Sequence, residues 1–157
     1  MKKYKTVEDS KTEVSHLLFE KDMNGAGRLF GGQLLMWIDE VAGIVAKRHC
    51  EGRCTTACID NLQFKEACYV NDVIVLIGYL THVGKSSMEI RIDTYVEKDD
   101  GKRHPVNRAF FVMVALDEND LPVEVPRLTI STIEEQAKWD AAEKRIAMRK
   151  ERRTEGF

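Results

Sequence analysis

A long apolar segment that starts at two adjacent glycines constrains the fold of this chain more than any other feature. From Gln33 to His49 the sequence contains no proline and one glycine, Gly43, and its apolar residues recur at helical spacing. Gly31 and Gly32 disfavour helical conformation, so the pattern predicts a helix that begins at this pair and ends near His49. A helix with so wide an apolar surface needs a large partner to cover it.

One acidic residue, Asp39, falls within the apolar part of this predicted helix. It shares a row of the helical projection with small and apolar residues, namely Leu35, Ala42 and Ala46. The neighbouring Glu40 falls on the polar side. We therefore expect Glu40 to face solvent or a charge partner and Asp39 to be partly desolvated, which is costly for a carboxylate. Such a residue either pairs with a structural arginine or backbone amide, or acts as a base in a functional site.

The glycine pair favours the functional alternative for Asp39. Backbone N–H groups at a helix start, without Cβ atoms around them, can approach a ligand oxygen closely, and the helix dipole favours negative charge there. A helix rises about 1.5 Å per residue, which puts Asp39 roughly 10 Å along the axis from Gly32. An extended substrate group could reach both positions, or a second subunit could complete the site.

The rest of the chain predicts an α+β fold, in which this helix is covered by an antiparallel sheet of five to six strands. A second helix, rich in arginine at its end, is predicted over Thr132–Arg153. We expect one domain over 1–131 and a basic C-terminal helical extension over 132–157. Residues 1–12 are expected to be an edge or a frayed terminus, and Gly52 a left-handed helix cap. The predicted strands are Glu13–Phe19, Thr55–Phe64, Val73–Val83, Ser86–Val96 and Pro105–Leu116, with a short extended piece within Leu121–Thr129.

Composition excludes several functional classes. The net charge is −2 with 32% charged residues, so the chain lacks the basic signature of nucleic-acid binding. It has neither an apolar run long enough for a membrane span nor an apolar signal segment at its start, and we expect a cytoplasmic protein. The four cysteines form no CxxC pair, which predicts reduced thiols and no metal site. Cys54 and Cys58, four residues apart on a predicted strand, should lie on one face.

Several motifs of the chain resemble those of one enzyme family. The run Asp22-Met23-Asn24, then Gly27, Leu29–Gly32 and Ile38-Asp39, is similar to the hotdog-fold acyl-CoA thioesterases, in particular the YciA-like and brain-type acyl-CoA hydrolases. The similarity continues through Thr56, Phe64, Val83–Ser87 and Val112–Asp117 and covers roughly residues 16–130. Each motif alone is weak, whereas their order is specific.

The resemblance implies a site that is shared between subunits. In that family the sheet wraps the helix, two subunits join their sheets into one, and dimers commonly assemble into a trimer of dimers. The implied substrate is an acyl-CoA, with coenzyme A as part of substrate and product and no other cofactor. Asp39 takes the position of the general base or nucleophile, and Asn24 of the partner subunit orients the water or the carbonyl. The Gly31 and Gly32 amides would stabilise the oxyanion, and Thr56 would lie beside Asp39.

The resemblance also implies where coenzyme A binds. In the family the turn between two long strands lies beside this moiety, and here a lysine charge and two serine hydroxyls are available in that turn. Without the resemblance, a plain hairpin corner is the preferred interpretation. Arg103 and Arg108 are further candidates for contact with phosphates. The implied coenzyme A contacts are Val83, Gly84, Lys85, Ser86, Ser87 and Arg108.

Three other functions fit parts of the sequence. Hydratases and dehydratases share this fold but usually place a histidine beside the acid, whereas the four histidines here lie outside the motif. A non-catalytic acyl-CoA-binding module would not need Asp39. Gly31-Gly32-Gln33 is also the tripeptide of peptide-chain release factors, but those need an exposed loop on a basic protein. Arg28 departs from the family pattern, since many relatives carry an acid there.

Overall fold

The computed structural model describes residues 3–60 and 62–157 of the chain. A long helix, α1, spans Gly31–Cys50, and a second helix, α2, spans Ile133–Glu155. A short 3₁₀ turn at Glu20–Asp22 precedes α1. In chain order the strands are β1 (Tyr4–Thr6), β2 (Thr12–Leu17), β3 (Arg53–Asp60), β4 (Val73–Val83), β5 (Ser87–Glu97), β6 (Arg103–Leu116) and β7 (Arg127–Thr129).

A curled antiparallel sheet in the order β2-β4-β5-β6-β3 wraps α1, and this confirms the predicted α+β hotdog fold. One apolar row of α1 is fully buried in the structure, and it consists of Leu34, Ile38, Val41 and Val45. The long strands β4, β5 and β6 supply most of the opposing core, in which Phe111 is one of the largest buried side chains. The sheet has five strands, the lower of the two predicted numbers.

The remaining strands form a small second sheet that the sequence did not predict. β1 pairs in parallel with β7, with Tyr4 opposite Arg127. β1 is an edge strand of this small sheet, so the expected edge is observed at Tyr4–Thr6 and a frayed terminus is not; Met1 and Lys2 lie outside the described residues. Within Leu121–Thr129 only the last three residues form a strand, because prolines occupy positions 122 and 126 and cannot donate to a ladder.

The end of one predicted strand and the residue that caps α1 also differ from the prediction. The predicted strand Thr55–Phe64 is observed as Arg53–Asp60; Asn61 lies outside the described residues, and 62–64 is not in a strand. The left-handed residue that ends α1 is Glu51, with φ 53°, and not Gly52. The Glu51 amide donates to the Lys47 carbonyl, which closes the last turn of the helix one residue earlier than a Gly52 cap would.

A β-bulge in β3 places the thiols of Cys54 and Cys58 on opposite faces of the sheet. The register shifts between Thr56 and Cys58, so that Cys54 pairs with Ala115 and Cys58 pairs with Val112. Side chains alternate between the two faces along a strand, so Ala115 and Val112, three residues apart on β6, point to opposite faces of the sheet. Cys54 therefore packs toward α1, whereas Cys58 lies on the opposite face, and the prediction that both share one face is wrong.

Helix α2 lies on the face of the sheet that α1 leaves uncovered, and a buried ionic network holds it there. Glu89 of β5 accepts hydrogen bonds from Arg145 at 2.7 Å and from Arg149 at 2.7 Å. Nearby, His82 is paired with Glu143, and its ring packs against that of Trp139 at an interplanar angle of 34°. Replacing one partner of such a network would leave an uncompensated buried charge, so the network fixes the position of α2.

The approach of α1 to β4 yields a prediction about Gly78. A Cβ at this position would lie 2.6 Å from Val41 Cγ1 and 3.2 Å from Val45 Cγ2. Because the core is closely packed, we expect Gly78→Ala to lower the free energy of unfolding by about 1–3 kcal/mol. Urea unfolding measures this change. Gly43→Ala is the matched control: a Cβ there meets nothing within 4 Å, and the change should stabilise α1 by up to about 1 kcal/mol. Equal effects of the two substitutions would contradict this packing.

Burial of His49 at the end of α1 predicts acid sensitivity of the fold. Its Nε2 lies 2.8 Å from the Pro126 carbonyl oxygen, and burial lowers the pKa of the imidazole below its ordinary 6.5 despite this hydrogen bond. The unfolded chain therefore binds the proton more readily, so the stability present at neutral pH is lost as the pH falls below about 6.5. Urea unfolding should show a larger loss of free energy between about pH 7 and pH 5.5 for the parent than for His49→Gln. His104→Gln is the control and should follow the parent; an identical pH dependence in all three proteins would refute the expectation.

Candidate active site

Asp39 and Thr56 are brought together where α1 passes the edge strand β3. The Thr56 hydroxyl donates a hydrogen bond of 2.7 Å to Asp39 Oδ1. Both ends of this pair are anchored, since Asp39 lies in the middle of α1 and Thr56 immediately precedes the bulge of β3. The bond holds one carboxylate oxygen of Asp39 in place.

Met113 is a neighbour of this pair that the sequence did not reveal. Its Sδ lies 3.3 Å from Thr56 Oγ1, and the residue is almost fully buried on β6. Because the stronger acceptor for the single hydroxyl proton is the carboxylate, the sulfur acts mainly by packing against Thr56. Only the register between β3 and β6, which pairs Thr56 with Met113, could have predicted this contact.

The Asp39 side chain is exposed within the single chain, which contradicts the expected desolvation. β3 is an edge strand of the sheet, so among residues 3–60 and 62–157 no further strand covers α1 beyond it. Ala42 and Ala46, which lie in the same row of α1 closer to its C-terminal end, are fully buried, whereas Asp39 is not. Glu40 is also exposed, as expected.

The start of α1 presents backbone donors at the predicted glycines. The N-cap residue, Phe30, makes no side-chain capping bond, and the first turn contains no acid. The first N–H groups of any helix have no partner within it, so Gly31, Gly32 and Gln33 offer three donors at the positive end of the dipole. A Cβ on Gly32 would lie 2.6 Å from Phe30 Cε1, so the absence of a side chain lets this ring lie over the helix start.

Asn24 lies in the loop before α1, and backbone amides of the same loop hold its side chain. Its Oδ1 accepts hydrogen bonds from the Ala26 amide at 2.9 Å and the Arg28 amide at 3.2 Å. Since the carboxamide oxygen is occupied, the Nδ2 group is the end of the side chain that can donate to a ligand. Asn24 and Gly31 line one cleft of about 340 Å³ together with Phe64.

The predicted site residues therefore fall into two groups within one chain. Asn24 lies with Gly31 at the start of α1, and Asp39 lies with Thr56 at the edge of the sheet. The helical rise separates Gly32 and Asp39 by roughly 10 Å.

The turn predicted to contact coenzyme A is a rigid corner between β4 and β5. The Gly84 amide donates to the Ser87 carbonyl at 2.8 Å, and a Cβ on Gly84 would lie 2.5 Å from Ser87 Oγ. Arg127 donates to the Gly84 carbonyl at 2.6 Å, and the Ala115 amide donates to the Ser86 carbonyl at 2.9 Å. With these carbonyls occupied, the exposed Lys85 and the hydroxyls of Ser86 and Ser87 are the groups left for a ligand, while Val83 is buried.

Arg108 is not brought to this turn within one chain. Its Nε donates to Asp93 Oδ1 at 3.0 Å, and Asp93 lies six residues along β5 from Ser87, a separation of about 20 Å. Arg103 lies farther still and pairs with Glu13 and Glu97. Besides Lys85 and Arg127, the basic residues near the turn are Arg149, Arg152 and Arg153 at the end of α2. Their proximity follows from the docking of α2, which the sequence pattern does not encode.

The histidines lie away from Asp39. His16 stacks on Trp37 with ring centroids 4.1 Å apart, His49 bonds to the Pro126 carbonyl and His82 pairs with Glu143. His104 is on β6 near the turn that follows β5. Across 3–60 and 62–157, no three histidine, cysteine or acidic side chains are arranged to hold a metal ion. In the same ranges, no helix is both long enough and apolar enough to span a bilayer.

Comparisons with known proteins agree with this fold. The sequence pattern of the thioesterase superfamily matches residues 26–102. A Bacillus subtilis protein named as an acyl-CoA thioester hydrolase is 37% identical over 146 residues, which is 92% of this chain and 85% of that protein. The chain belongs to the thioesterase superfamily and, within it, to the hotdog-fold acyl-CoA thioester hydrolases. A rat cytosolic acyl coenzyme A thioester hydrolase is longer, and the chain spans 40% of its length at 33% identity.

Solved structures give the same result. A hexameric acyl-CoA thioesterase in its apo form superimposes with a TM-score of 0.91 at 35% identity, covering 95% of this chain and 96% of that one. An acyl-CoA hydrolase from Staphylococcus aureus, solved with butyryl coenzyme A and coenzyme A, has a TM-score of 0.91 at 28% identity, with 98% and 94% covered. That enzyme was also solved with an asparagine, an aspartate or a threonine replaced by alanine, and these three residues have the spacing of Asn24, Asp39 and Thr56.

The two hydrogen bonds that Asn24 Oδ1 accepts predict a structural role for this side chain, which can be tested separately from any role in catalysis. Asn24→Ala removes the acceptor for two loop amides and should lower the free energy of unfolding by about 1 kcal/mol. Asn24→Asp keeps an acceptor at this position and should retain the stability of the parent in urea unfolding. If Asn24→Ala is as stable as the parent, this side chain does not hold the loop.

Proposed function

We propose that this chain hydrolyses the thioester of fatty acyl-CoA to a free fatty acid and coenzyme A, with Asp39 as general base or nucleophile. The observation that carries the proposal is the Thr56–Asp39 hydrogen bond beside the open edge of the sheet. The Staphylococcus aureus acyl-CoA hydrolase has an asparagine, an aspartate and a threonine at the same spacing, which supports the assignment.

The proposed active unit is a homodimer that pairs its two β3 edges. β3 exposes alternate residues along its length and carries no charge or proline between Cys54 and Ile59. Such an unprotected edge readily pairs with another strand. A second copy added here would cover Asp39 and bring a second helix start with its Asn24 to the same region. The hexameric relatives support a further trimer of dimers.

The chemistry then follows from the two groups of residues. The Gly31 and Gly32 amides of one subunit would polarise the thioester carbonyl and stabilise the oxyanion formed when its carbon is attacked. Asp39 of the other subunit either takes a proton from the attacking water or attacks the carbon itself. Collapse of the tetrahedral intermediate breaks the carbon–sulfur bond and releases coenzyme A as a thiolate, which then takes up a proton. If water attacks, the fatty acid is released in the same step. If Asp39 attacks, an acyl–Asp39 anhydride forms, and a water molecule must then hydrolyse it to release the fatty acid and restore the carboxylate.

Thr56 and Asn24 have positioning and donating roles in this proposal. The Thr56 hydroxyl occupies Asp39 Oδ1, so Oδ2 is the oxygen available for the water or the carbon. Asn24, whose oxygen is bound to its own loop, would donate through Nδ2 to the water or the carbonyl.

Coenzyme A is proposed to bind at the β4–β5 turn through Val83–Ser87. Lys85 supplies a cation for phosphate, and Ser86 and Ser87 supply hydroxyls. Because Arg108 lies about 20 Å from this turn in its own chain, it would meet a phosphate only across an interface of the assembly. We propose a cytoplasmic enzyme that needs no cofactor beyond the coenzyme A of its substrate and binds no nucleic acid.

Two alternatives are less well supported. Acyl-CoA hydration or dehydration on this fold usually uses a histidine beside the acid. Here His16, His49 and His82 have other partners, and His104 lies on β6 near the turn that follows β5. A binding module without turnover would have no need for the Thr56–Asp39 pair. Both alternatives predict that acyl-CoA releases no free thiol.

The test is thioester cleavage measured over acyl-CoAs of increasing chain length, with the dye signal corrected for the protein's own thiols. We expect Asp39→Asn to lower kcat by about 10²–10⁴-fold, because an amide cannot act as a base. Thr56→Val should lower kcat by about tenfold, since it removes one hydrogen bond that positions the carboxylate. Glu40→Gln, adjacent on α1 but on its solvent side, is the control and should retain activity.

Further measurements test the role of Asn24, the role of Asp39 and the size of the assembly separately. Asn24→Asp should lower kcat without loss of stability, because the donor Nδ2 is replaced by an acceptor. Full activity of Asp39→Asn, or no cleavage of any acyl-CoA by the parent, would rule the mechanism out. Light scattering decides between dimer and hexamer.

A further inference from the structure

The loop that follows β3 places an aromatic ring against the start of α1. A Cβ on Gly31 would lie 3.7 Å from Cζ and 3.8 Å from Cε2 of Phe64, so this ring is in van der Waals contact with the first residue of the helix. Phe64 is 52% exposed, and it lines the cleft of about 340 Å³ that Asn24 and Gly31 also line. The ring therefore lies next to one of the backbone donors proposed for the oxyanion.

Two hydrogen bonds to β6 hold the loop that carries this ring. Asn107 donates from Nδ2 to the Gln63 carbonyl, and the Lys65 amide donates to the Val106 carbonyl at 2.8 Å. Phe64 lies between these two bonds in the chain, so its backbone is fixed on both sides. Asn107 is almost fully buried, and its Oδ1 has no hydrogen-bond partner among the described residues. The bond to the Gln63 carbonyl is therefore the polar contact that this buried amide supplies.

The floor of the cleft beside the ring is apolar. It is lined by three almost fully buried residues, Leu34, Cys68 and Val106. The charged residues of its wall are exposed, and they are Arg28, Lys65 and Glu66. An alkyl chain suits this floor better than the pantetheine arm of coenzyme A does, because that arm contains two amide groups that need hydrogen-bond partners. The cleft therefore fits the acyl side of a thioester.

We propose that Phe64 restricts the substrates to acyl-CoAs that are unbranched at the carbon next to the thioester carbonyl, and that Asn107 is its positioning residue. This inference rests on the proposed function, in which the Gly31 amide binds the carbonyl oxygen. A hydrogen bond of about 2.9 Å to that oxygen places the neighbouring carbon within about 5 Å of the amide nitrogen. Since the Phe64 ring touches the same residue, hydrogen atoms on that carbon fit beside the ring, whereas a methyl group collides with it.

The experiment compares kcat/KM for the straight-chain acyl-CoA that the parent cleaves best and for its 2-methyl analogue. The parent should prefer the straight chain by about tenfold or more, since one methyl group in a filled pocket changes kcat/KM by about 10–200-fold. Phe64→Ala should remove most of this preference, chiefly by raising kcat/KM for the branched substrate. Phe19→Ala is the matched control and should keep the parent's preference, because Phe19 is also 52% exposed but lines a different cleft.

The positioning role of Asn107 is tested with Asn107→Val. Valine suits a strand and an apolar surrounding but cannot donate to the Gln63 carbonyl. The preference for the straight chain should fall about threefold, since loss of one hydrogen bond lets the loop and its ring move. A purely structural role would instead change kcat/KM for both substrates by the same factor. Circular dichroism checks that each variant is folded.

Failure of this inference differs from failure of the proposed function. If the parent cleaves no acyl-CoA of any chain length, both are overturned. Equal cleavage of the straight and branched substrates by the parent, or an unchanged preference in folded Phe64→Ala, would overturn the inference alone. Weaker inhibition of Phe64→Ala by free coenzyme A would place the ring beside the pantetheine arm and not beside the acyl group. A preference that changes only together with the assembly size, seen by light scattering, would show that the ring acts through a subunit contact.

Discussion

The close contact between α1 and the middle of the sheet sets the position of everything else. Val41 lies so near β4 that only a residue without a side chain fits at Gly78. This contact fixes the depth of α1 in the curled sheet, and with it the place where the helix passes β3. Asp39 can meet Thr56 only because the helix is held at that depth and β3 follows it in the chain after a tight turn at Glu51. The pair at the candidate site is thus a product of core packing.

The two faces of the sheet are used in different ways. On one face, core side chains and α1 leave a single carboxylate beside an open edge. On the other face, α2 is attached through buried ion pairs together with the packing of Trp139 and Ala142, and a space remains beneath its end. Ionic attachment fixes a helix at specific points and does not require contact along its whole length. This difference explains why the second face contains a cleft with an apolar floor.

Much of the fold could be predicted from local patterns. The glycine pair and the apolar row located α1, and the alternating residues located the long strands, because each pattern reflects one element's own burial. What failed depended on pairing between distant segments. The β1–β7 sheet, the bulge after Thr56 and the separation of Arg108 from the β4–β5 turn all follow from register. Asp39 was expected to be desolvated because a helical projection does not show where the sheet ends.

The bulge in β3 allows one short strand to serve both helices. Before the extra residue, Thr56 points to α1 and bonds with Asp39; after it, Asp60 points the other way and bonds with Arg149 and Arg152 of α2. In a regular strand these residues, four apart, would point to the same face. The number of residues between Thr56 and Asp60 is therefore constrained by two partners on opposite sides of the sheet. Deleting or inserting one residue there would turn either Thr56 away from α1 or Asp60 away from α2, so the hydrogen bonds to one of the two helices would be lost.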